Sequence, residues 1–258
     1  MLRHVTAPDG VRIGCEVAGD GPPLVLVHGA GSARWSFDLV RPYLEERFTV
    51  WSVDRRGRGD SDDGNPYGIE REFDDVVATV SEAGPDAVLF GHSYGALVSA
   101  GAACRLDGLR GLVLYEPPMG GVLADEDWTR RFEANVEAGE RDVAVRVFMH
   151  DVGGYSHEEI DAMVDTPVWQ GRIEVAHTVP RELRAEDAYA IDRLSLGDLA
   201  PPCLMLLGSE SPPWAQRSTE AFSSAIHAAE VHSLEGHGHG ALTSGPELLA
   251  SEIVGLAG

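Results

Sequence analysis

A single serine stands between two glycines in residues 89–97, LFGHSYGAL. The flanking apolar and small residues predict a strand, a sharp turn at Gly91 to Gly95 and a helix. Glycine two residues before and two residues after Ser93 allows a tight turn without side-chain clashes. Such a corner holds a hydroxyl clear of the sheet, where it can act as a nucleophile. The chain contains 30 glycines, so a G-x-S-x-G pattern could arise by chance. The rest of the sequence has to show whether Ser93 is a nucleophile.

The composition restricts the class of function. The 258 residues include 42 acidic and 20 basic residues, which give a formal net charge of −22. Every basic residue is arginine, so a lysine Schiff base is excluded. The negative field repels nucleic acid and anionic membranes, and we expect neither as a partner. The expected ligand is small and neutral or weakly polar.

The cysteines and the apolar segments bear on the cellular compartment. Cys15, Cys104 and Cys203 are odd in number, far apart and set among apolar residues, which argues against a disulfide framework or a zinc site. The first ten residues lack the apolar run of a signal peptide, and no stretch approaches the length of a membrane span. These features predict a cytoplasmic protein.

Strand and helix patterns alternate around Ser93. A hairpin (2–7 and 11–18) precedes the apolar run 24–27, which is typical of a buried parallel strand. The later predicted elements are helix 35–47, strand 48–53, helix 69–83, strand 87–91, helix 94–105, strand 111–115, strand 203–207, helix 214–226, strand 229–234 and a final helix to about residue 256. The alternation predicts an α/β fold with a doubly wound, mostly parallel sheet.

The pattern changes after the sixth predicted strand. Residues 119–199 contain charged helical segments, such as 125–138 and 157–164, and no convincing strand. We therefore expect a core of residues 1–118 and 200–258 and a helical cap of residues 119–199. An insertion between core strands commonly lies over their carboxyl ends, where open α/β sheets bind ligands.

Four motifs, in order, resemble those of the α/β-hydrolase fold superfamily. HGAG (28–31) follows the third predicted strand, and DRRGRGDS (54–61) matches the family's D-x-R-G-x-G-x-S turn. GHSYG (91–95) lies at the strand-to-helix turn, and GHGH (236–239) precedes the last helix. The likeness covers the core and leaves the cap unassigned. It implies a serine hydrolase of the esterase or lactonase branch that requires no cofactor and no metal ion.

The resemblance implies roles for further residues. Attack by Ser93 builds an oxyanion, and the family's backbone N–H donors correspond to Tyr94, which follows the nucleophile, and Ala30, which follows His-Gly. The base comes last in chain order, and the family's G-x-G-H form corresponds to His239. His237 is the alternative, and two histidines one residue apart could also bind a metal ion.

Two histidines earlier in the chain are further candidates for the base. The resemblance implies that His28 and His92 orient loops or pack beside the nucleophile turn. Asp54 and Arg56 likewise belong to a turn that family members hold together by internal hydrogen bonds, so we expect a structural role for both.

The catalytic acid departs from the family pattern. Most relatives carry aspartate three residues after the glycine that ends the strand at LLG (206–208), and Ser211 occupies that position. Glu210 is one residue away and is the alternative acid. We favour Glu116, after the sixth strand, because a carboxylate at this rim is costly unless it is paired, and His239 is the obvious partner. Haloalkane dehalogenases and zearalenone-type lactone hydrolases resemble this arrangement.

The expected reaction is cleavage of a small-molecule carboxylic ester or lactone through an acyl-enzyme on Ser93. Haloalkane dehalogenases and epoxide hydrolases are set aside because they use aspartate as the nucleophile. The alternatives are a cofactor-free carbon–carbon hydrolase, an acyltransferase, a perhydrolase or a non-catalytic receptor. The sequence indicates no oligomeric state. The candidates for lining the pocket or the cap are Trp35, Phe37, Tyr94, Trp128, Tyr155, Trp169 and Trp214.

Overall fold

Eight strands form one sheet in the computed structural model, which describes residues 1–120, 125–227 and 229–257. The strands are β1 (Leu2–Thr6), β2 (Arg12–Ala18), β3 (Pro23–Val27), β4 (Thr49–Val53), β5 (Val88–His92), β6 (Gly111–Tyr115), β7 (Cys203–Gly208) and β8 (Ala229–Leu234). Their order is β1-β2-β4-β3-β5-β6-β7-β8. β2 pairs antiparallel with β1 and β4, whereas the other neighbours pair in parallel. The predicted fold class is therefore confirmed.

Helices cover both faces of this sheet. They are α1 (Arg41–Glu45), α2 (Ile69–Ala83), α3 (Tyr94–Ala103), α4 (Glu126–Glu137), α5 (Arg141–Asp151), α6 (His157–Met163), α7 (Pro167–Val175), α8 (Val179–Asp187), α9 (Pro213–Ala225), α10 (Ala241–Ser244) and α11 (Pro246–Ala257). The run 24–27 is apolar throughout because its side chains alternate between two cores. Val25 and Val27 join the core under α2 and α3, whereas Leu24 and Leu26 join the core under α1 and α11.

Two predicted helices are interrupted at prolines. The segment predicted as helix 35–47 is a 3₁₀ turn (Arg34–Phe37) followed by α1, whose first turn contains Pro42. The predicted final helix is likewise divided into α10 and α11, and α11 begins at Pro246. Proline lacks the N–H that a helix interior needs but is well tolerated in a first turn, so each proline marks a new start.

The insertion between β6 and β7 holds α4 to α8, and its described residues form no strand. Residues 121–124 of the predicted cap lie outside the described residues. Glu182 of α8 is fully buried and accepts hydrogen bonds from Arg55, at 2.9 Å, and from Arg58. Both arginines belong to the DRRGRGDS turn, so this turn fastens the insertion to the core through paired buried charges.

Candidate active site

Ser93 occupies a strained corner between β5 and α3. Its backbone has φ 54° and ψ −129°, a conformation that L-residues rarely adopt. The flanking glycines are required by close backbone contact. A Cβ atom at Gly91 would lie 2.4 Å from the Gly95 carbonyl oxygen, and one at Gly95 would lie 2.3 Å from the Val27 carbonyl oxygen. The G-x-S-x-G spacing thus reflects how tightly β3, β5 and α3 pack at this corner.

Glu116 and His239 form a hydrogen-bonded pair beside this corner. Glu116 follows β6 directly, has φ 49° and is fully buried. Its Oε2 lies 2.5 Å from Nδ1 of His239. Its Oε1 accepts hydrogen bonds from the Gly208 N–H at 2.8 Å and from the Ser211 hydroxyl at 2.5 Å. Three donors therefore compensate the burial of one carboxylate.

The pairing with Glu116 also determines which nitrogen of His239 is free. A carboxylate only accepts hydrogen bonds, so Nδ1 carries the proton and Nε2 keeps its lone pair. His239 and Ser93 both line the same cavity. This arrangement offers a base to any proton donor in that cavity.

The alternative acid and base lie elsewhere. Glu210 is exposed, and its backbone N–H donates to the His237 carbonyl oxygen at 3.0 Å. The Nδ1 atom of His237 lies 2.9 Å from the Ser244 hydroxyl, and His237 does not line the cavity. The structure thus brings Glu116, rather than Glu210, to the His239 ring.

The other two candidate histidines make hydrogen bonds to the loops beside Ser93. His28 is fully buried; its Nδ1 donates to the Gly29 carbonyl oxygen at 2.9 Å, and its Nε2 accepts from the Arg55 N–H at 3.2 Å. Nε2 of His92 donates to the carbonyl oxygen of His239 at 3.0 Å. Desolvation lowers the pKa of both imidazoles well below the usual value. His28 thus fixes the loop after β3, and His92 holds the backbone of His239.

The backbone N–H groups of Ala30 and Tyr94 have no acceptor among the described residues. Tyr94 is the first residue of α3, where an N–H has no partner within the helix. Its side chain corrects one expectation, because it is buried away from the cavity, with its hydroxyl 2.9 Å from that of Tyr67. The pocket is therefore shaped by other aromatic residues.

The cavity at Ser93 has a volume of about 310 Å³ and a mostly apolar wall. Of the predicted aromatic residues, Trp35 and Tyr155 line it, whereas Phe37, Trp128, Trp169 and Trp214 do not. The insertion contributes further lining residues that no sequence motif indicates: Phe148, Met149, Val152, Gly153, Val168 and Arg172. The spacing of the first three is typical of one apolar face of a helix, a signal that could have identified them.

Asp54 and Arg56 do not line this cavity. Asp54 accepts a hydrogen bond from the Asp60 N–H at 3.0 Å, within its own turn, and the guanidinium of Arg56 makes two hydrogen bonds of 2.7 Å to Asp75. Across the described ranges, no three His, Cys, Asp or Glu side chains are grouped so as to hold a metal ion. Within the same ranges, no helix combines the length and apolarity needed to cross a membrane.

Comparison with known proteins places these features in a family. Residues 24–252 match the model of the alpha/beta hydrolase family. The crystal structure of an alpha/beta hydrolase from Sphaerobacter thermophilus superposes with a TM-score of 0.86 at 33% identity, covering 98% of this chain and 99% of that chain.

Curated relatives match over shorter stretches. A pimeloyl-[acyl-carrier protein] methyl ester esterase of Stenotrophomonas maltophilia is 37% identical over 122 residues, which cover 47% of this chain and 45% of that protein. A probable oxidoreductase EphD of Mycobacterium bovis is 38% identical over 105 residues, which cover 38% of this chain and 18% of that protein. The matched stretches thus span less than half of these relatives.

Proposed function

This chain belongs to the alpha/beta hydrolase family, and we propose that it is a serine hydrolase that cleaves a carboxylic ester or a lactone. One observation carries the proposal. The Glu116 carboxylate lies 2.5 Å from the His239 ring, and that ring shares a cavity with Ser93 at its strained corner. A nucleophile, a base and a group that orients the base are what acyl transfer requires.

In the first half of the reaction, Nε2 of His239 takes the proton of the Ser93 hydroxyl as its oxygen attacks the substrate carbonyl carbon. The negative charge moves to the carbonyl oxygen, where the N–H groups of Ala30 and Tyr94 stabilise it. Collapse of this intermediate breaks the bond to the alcohol oxygen. The alcohol leaves with the proton from His239, and the acyl group stays on Ser93.

In the second half, His239 takes a proton from water, and the hydroxide attacks the acyl carbon. The bond to the Ser93 oxygen breaks, the serine regains its proton from His239, and the carboxylic acid is released. Each half forms an imidazolium, which the buried Glu116 carboxylate stabilises electrostatically. In a lactone, the departing alcohol and the acyl group belong to one molecule.

The relatives support an ester more than other substrates. The Stenotrophomonas relative is named for a methyl ester, and its match includes a larger share of both proteins than that of the Mycobacterium relative. The oxidoreductase name of the latter describes a protein of which only 18% is matched. We therefore propose ester or lactone hydrolysis for this chain.

A fluorophosphonate probe tests the proposal. The wild-type protein should gain one stoichiometric adduct on Ser93, as located by mass spectrometry, and should hydrolyse p-nitrophenyl acetate. Ser93→Ala should fold normally, as judged by circular dichroism, and lose both properties. A rate loss of about a thousandfold or more is expected, since the nucleophile acts as a unit with its base.

Ser36 provides a matched control because it is another serine that lines the same cavity. Ser36→Ala should keep the adduct and most of the activity. An adduct on Ser36, or an unreactive wild-type protein that still binds small molecules, would contradict the proposal; the second outcome would favour the receptor alternative.

A further inference from the structure

Arg172 places a positive charge in the wall of the cavity that holds Ser93. It belongs to α7 of the insertion, and its guanidinium carbon lies 5.4 Å from the centre of the Trp35 ring. Its Nη1 donates to the Gly31 carbonyl oxygen at 3.2 Å. A core loop and a core tryptophan therefore fix the position of this side chain.

No carboxylate of the described residues forms an ion pair with Arg172. Its Nε is buried and, like Nε of Arg55 and Arg58, has no hydrogen-bond partner there. The three buried arginines of the DRRGRGDS turn, by contrast, all have acidic partners: Arg55 with Glu72 and Glu182, Arg56 with Asp75, and Arg58 with Glu182.

A desolvated cation without a counter-charge is costly. Burial accordingly lowers the pKa of the Arg172 guanidinium, and the neighbouring Tyr155 hydroxyl opposes this shift only partly. The chain contains 42 acidic residues, any of which could in principle have formed an ion pair with Arg172. The side chain of Arg172 instead lines a cavity that can hold a small molecule.

Resting on the hydrolase function proposed above, we propose that Arg172 binds a carboxylate of the substrate. The substrates are then esters or lactones of acids that carry a second, ionised carboxylate. The planar guanidinium suits this group because its N–H donors match the two oxygens of a carboxylate. The same pairing supplies the counter-charge that the described residues do not provide.

The position of Arg172 limits how far the carboxylate lies from the reacting carbonyl. Its anchor, Gly31, follows Ala30, the proposed oxyanion donor, in the same loop. Arg172, Ala30 and Ser93 all line one cavity of about 310 Å³. We therefore expect a short aliphatic spacer between the ester and the carboxylate.

An anionic substrate differs from the neutral ligand expected from the net charge of −22. Distant surface charges are screened within about 8 Å at physiological salt, whereas a charge in the cavity wall is screened far less. Burial raises the pKa of Asp38, the acidic side chain in that wall, and the positive charges of Arg41 and Arg34 oppose this shift only partly. The positive charge of Arg172, rather than the net charge of the chain, thus determines that the cavity favours a ligand with a carboxylate.

Matched esters test the assignment. The probes are the monomethyl and dimethyl esters of succinic, glutaric and adipic acid, which differ in one ionised carboxylate. For Arg172→Gln, kcat/KM on the preferred monoester should fall about a hundredfold, while kcat/KM on its diester should change by less than about threefold. Arg172→Lys should retain part of the preference, since it keeps the charge but loses the planar fork. Thermal unfolding shows whether each variant is folded.

Arg141→Gln is the matched control, because Arg141 donates to the carbonyl oxygens of Ile173 and Glu174 and does not line the cavity. It should leave the ratio of monoester to diester unchanged. Equal losses on both esters in Arg172→Gln would overturn the inference in favour of a purely structural contact with Gly31 and Trp35. A wild-type preference for the diesters would overturn it as well.

A binding measurement separates this inference from the hydrolase proposal. Ser93→Ala should bind glutarate in a calorimeter, and adding Arg172→Gln should weaken that binding at least tenfold. If the wild-type protein hydrolyses no ester but this difference in binding holds, the hydrolase proposal fails and Arg172 remains a carboxylate site. If esters are hydrolysed without the difference, Arg172 is not one.

Discussion

The Ser211 hydroxyl donates a hydrogen bond of 2.5 Å to Oε1 of Glu116. Ser211 follows β7, and Glu116 directly follows the neighbouring strand β6. The family resemblance implies that the catalytic acid usually occupies the position of Ser211. This contact therefore joins the usual position of the acid to Glu116, the residue that we propose as the acid in this chain. Parallel strands end at the same edge of the sheet, so a carboxylate on either strand can reach one histidine.

We predict that Ser211→Ala weakens catalysis without abolishing it. Loss of one of three donors leaves Glu116 held by Gly208 and His239. A hydrogen bond to a charged group is worth about 1.5 kcal/mol or more, which corresponds to a roughly tenfold lower kcat. KM should stay unchanged, because we propose that Ser211 positions the acid rather than contacting the substrate.

Two variants sharpen this prediction, which steady-state kinetics on p-nitrophenyl acetate can check. Ser211→Thr keeps a hydroxyl and should recover most of the rate. Ser209→Ala is the control, since the Ser209 hydroxyl accepts from the Gly236 N–H, at 2.9 Å, and makes no contact with Glu116 among the described residues. A rise in KM with unchanged kcat in Ser211→Ala would assign Ser211 to substrate binding instead.

Replacing the proposed acid should have a larger effect. Glu116→Gln keeps the shape of the side chain but removes the charge, so the imidazolium is no longer stabilised and the tautomer of His239 is no longer fixed. We expect kcat to fall about a hundredfold or more. Glu210→Gln, on the exposed loop, should change it by less than about twofold. Values of kcat for the two variants show which carboxylate is the catalytic acid. A larger loss in Glu210→Gln than in Glu116→Gln would exclude Glu116.

Replacing each of the two histidines of the GHGH motif should likewise have different effects on catalysis. His239→Ala removes the proposed base and should reduce kcat by at least about a thousandfold. His237→Ala removes a contact to Ser244 outside the cavity and should mainly lower the melting temperature. The measurement is a pair of rates alongside a pair of melting curves. Loss of activity in His237→Ala with a normal melting temperature would reverse the assignment.

Local sequence patterns predict the sharp corner at Ser93, because the strand, the turn and the helix that form it are consecutive in the chain. The glycines beside Ser93 are needed by backbone contacts within β3, β5 and α3. The pairing of Glu116 with His239 joins residues 123 positions apart. Periodicity cannot indicate such a contact, and only the resemblance to a family, together with the cost of an unpaired carboxylate, favoured it.

Other features depended on tertiary packing and escaped prediction. Tyr94 was expected to help shape the pocket, but its ring turns toward Arg55, whose guanidinium carbon lies 4.7 Å from the ring centre. Arg172 belongs to no sequence motif. Its proposed role rests on the lack of an acidic partner among the described residues, which only the folded structure shows. Composition gave the sign of the net charge but not the sign of the charge in the cavity wall.

Cys203 should make stability depend on alkaline pH. Burial raises the pKa of its thiol to about 12, whereas an unfolded chain releases that proton near pH 9. Between these values the folded state holds a proton that the unfolded state has lost, so the free energy of unfolding falls as pH rises. From about pH 8 to about pH 10, ionisation of this one thiol in the unfolded chain should lower the free energy of unfolding by about 1.4 kcal/mol.

Urea unfolding of the wild type and of Cys203→Ala at both pH values measures this loss of stability. The cavity left by alanine costs the same at each pH, so it cancels from the comparison. Equal losses of stability in the two proteins would show that the thiol ionises in the folded state.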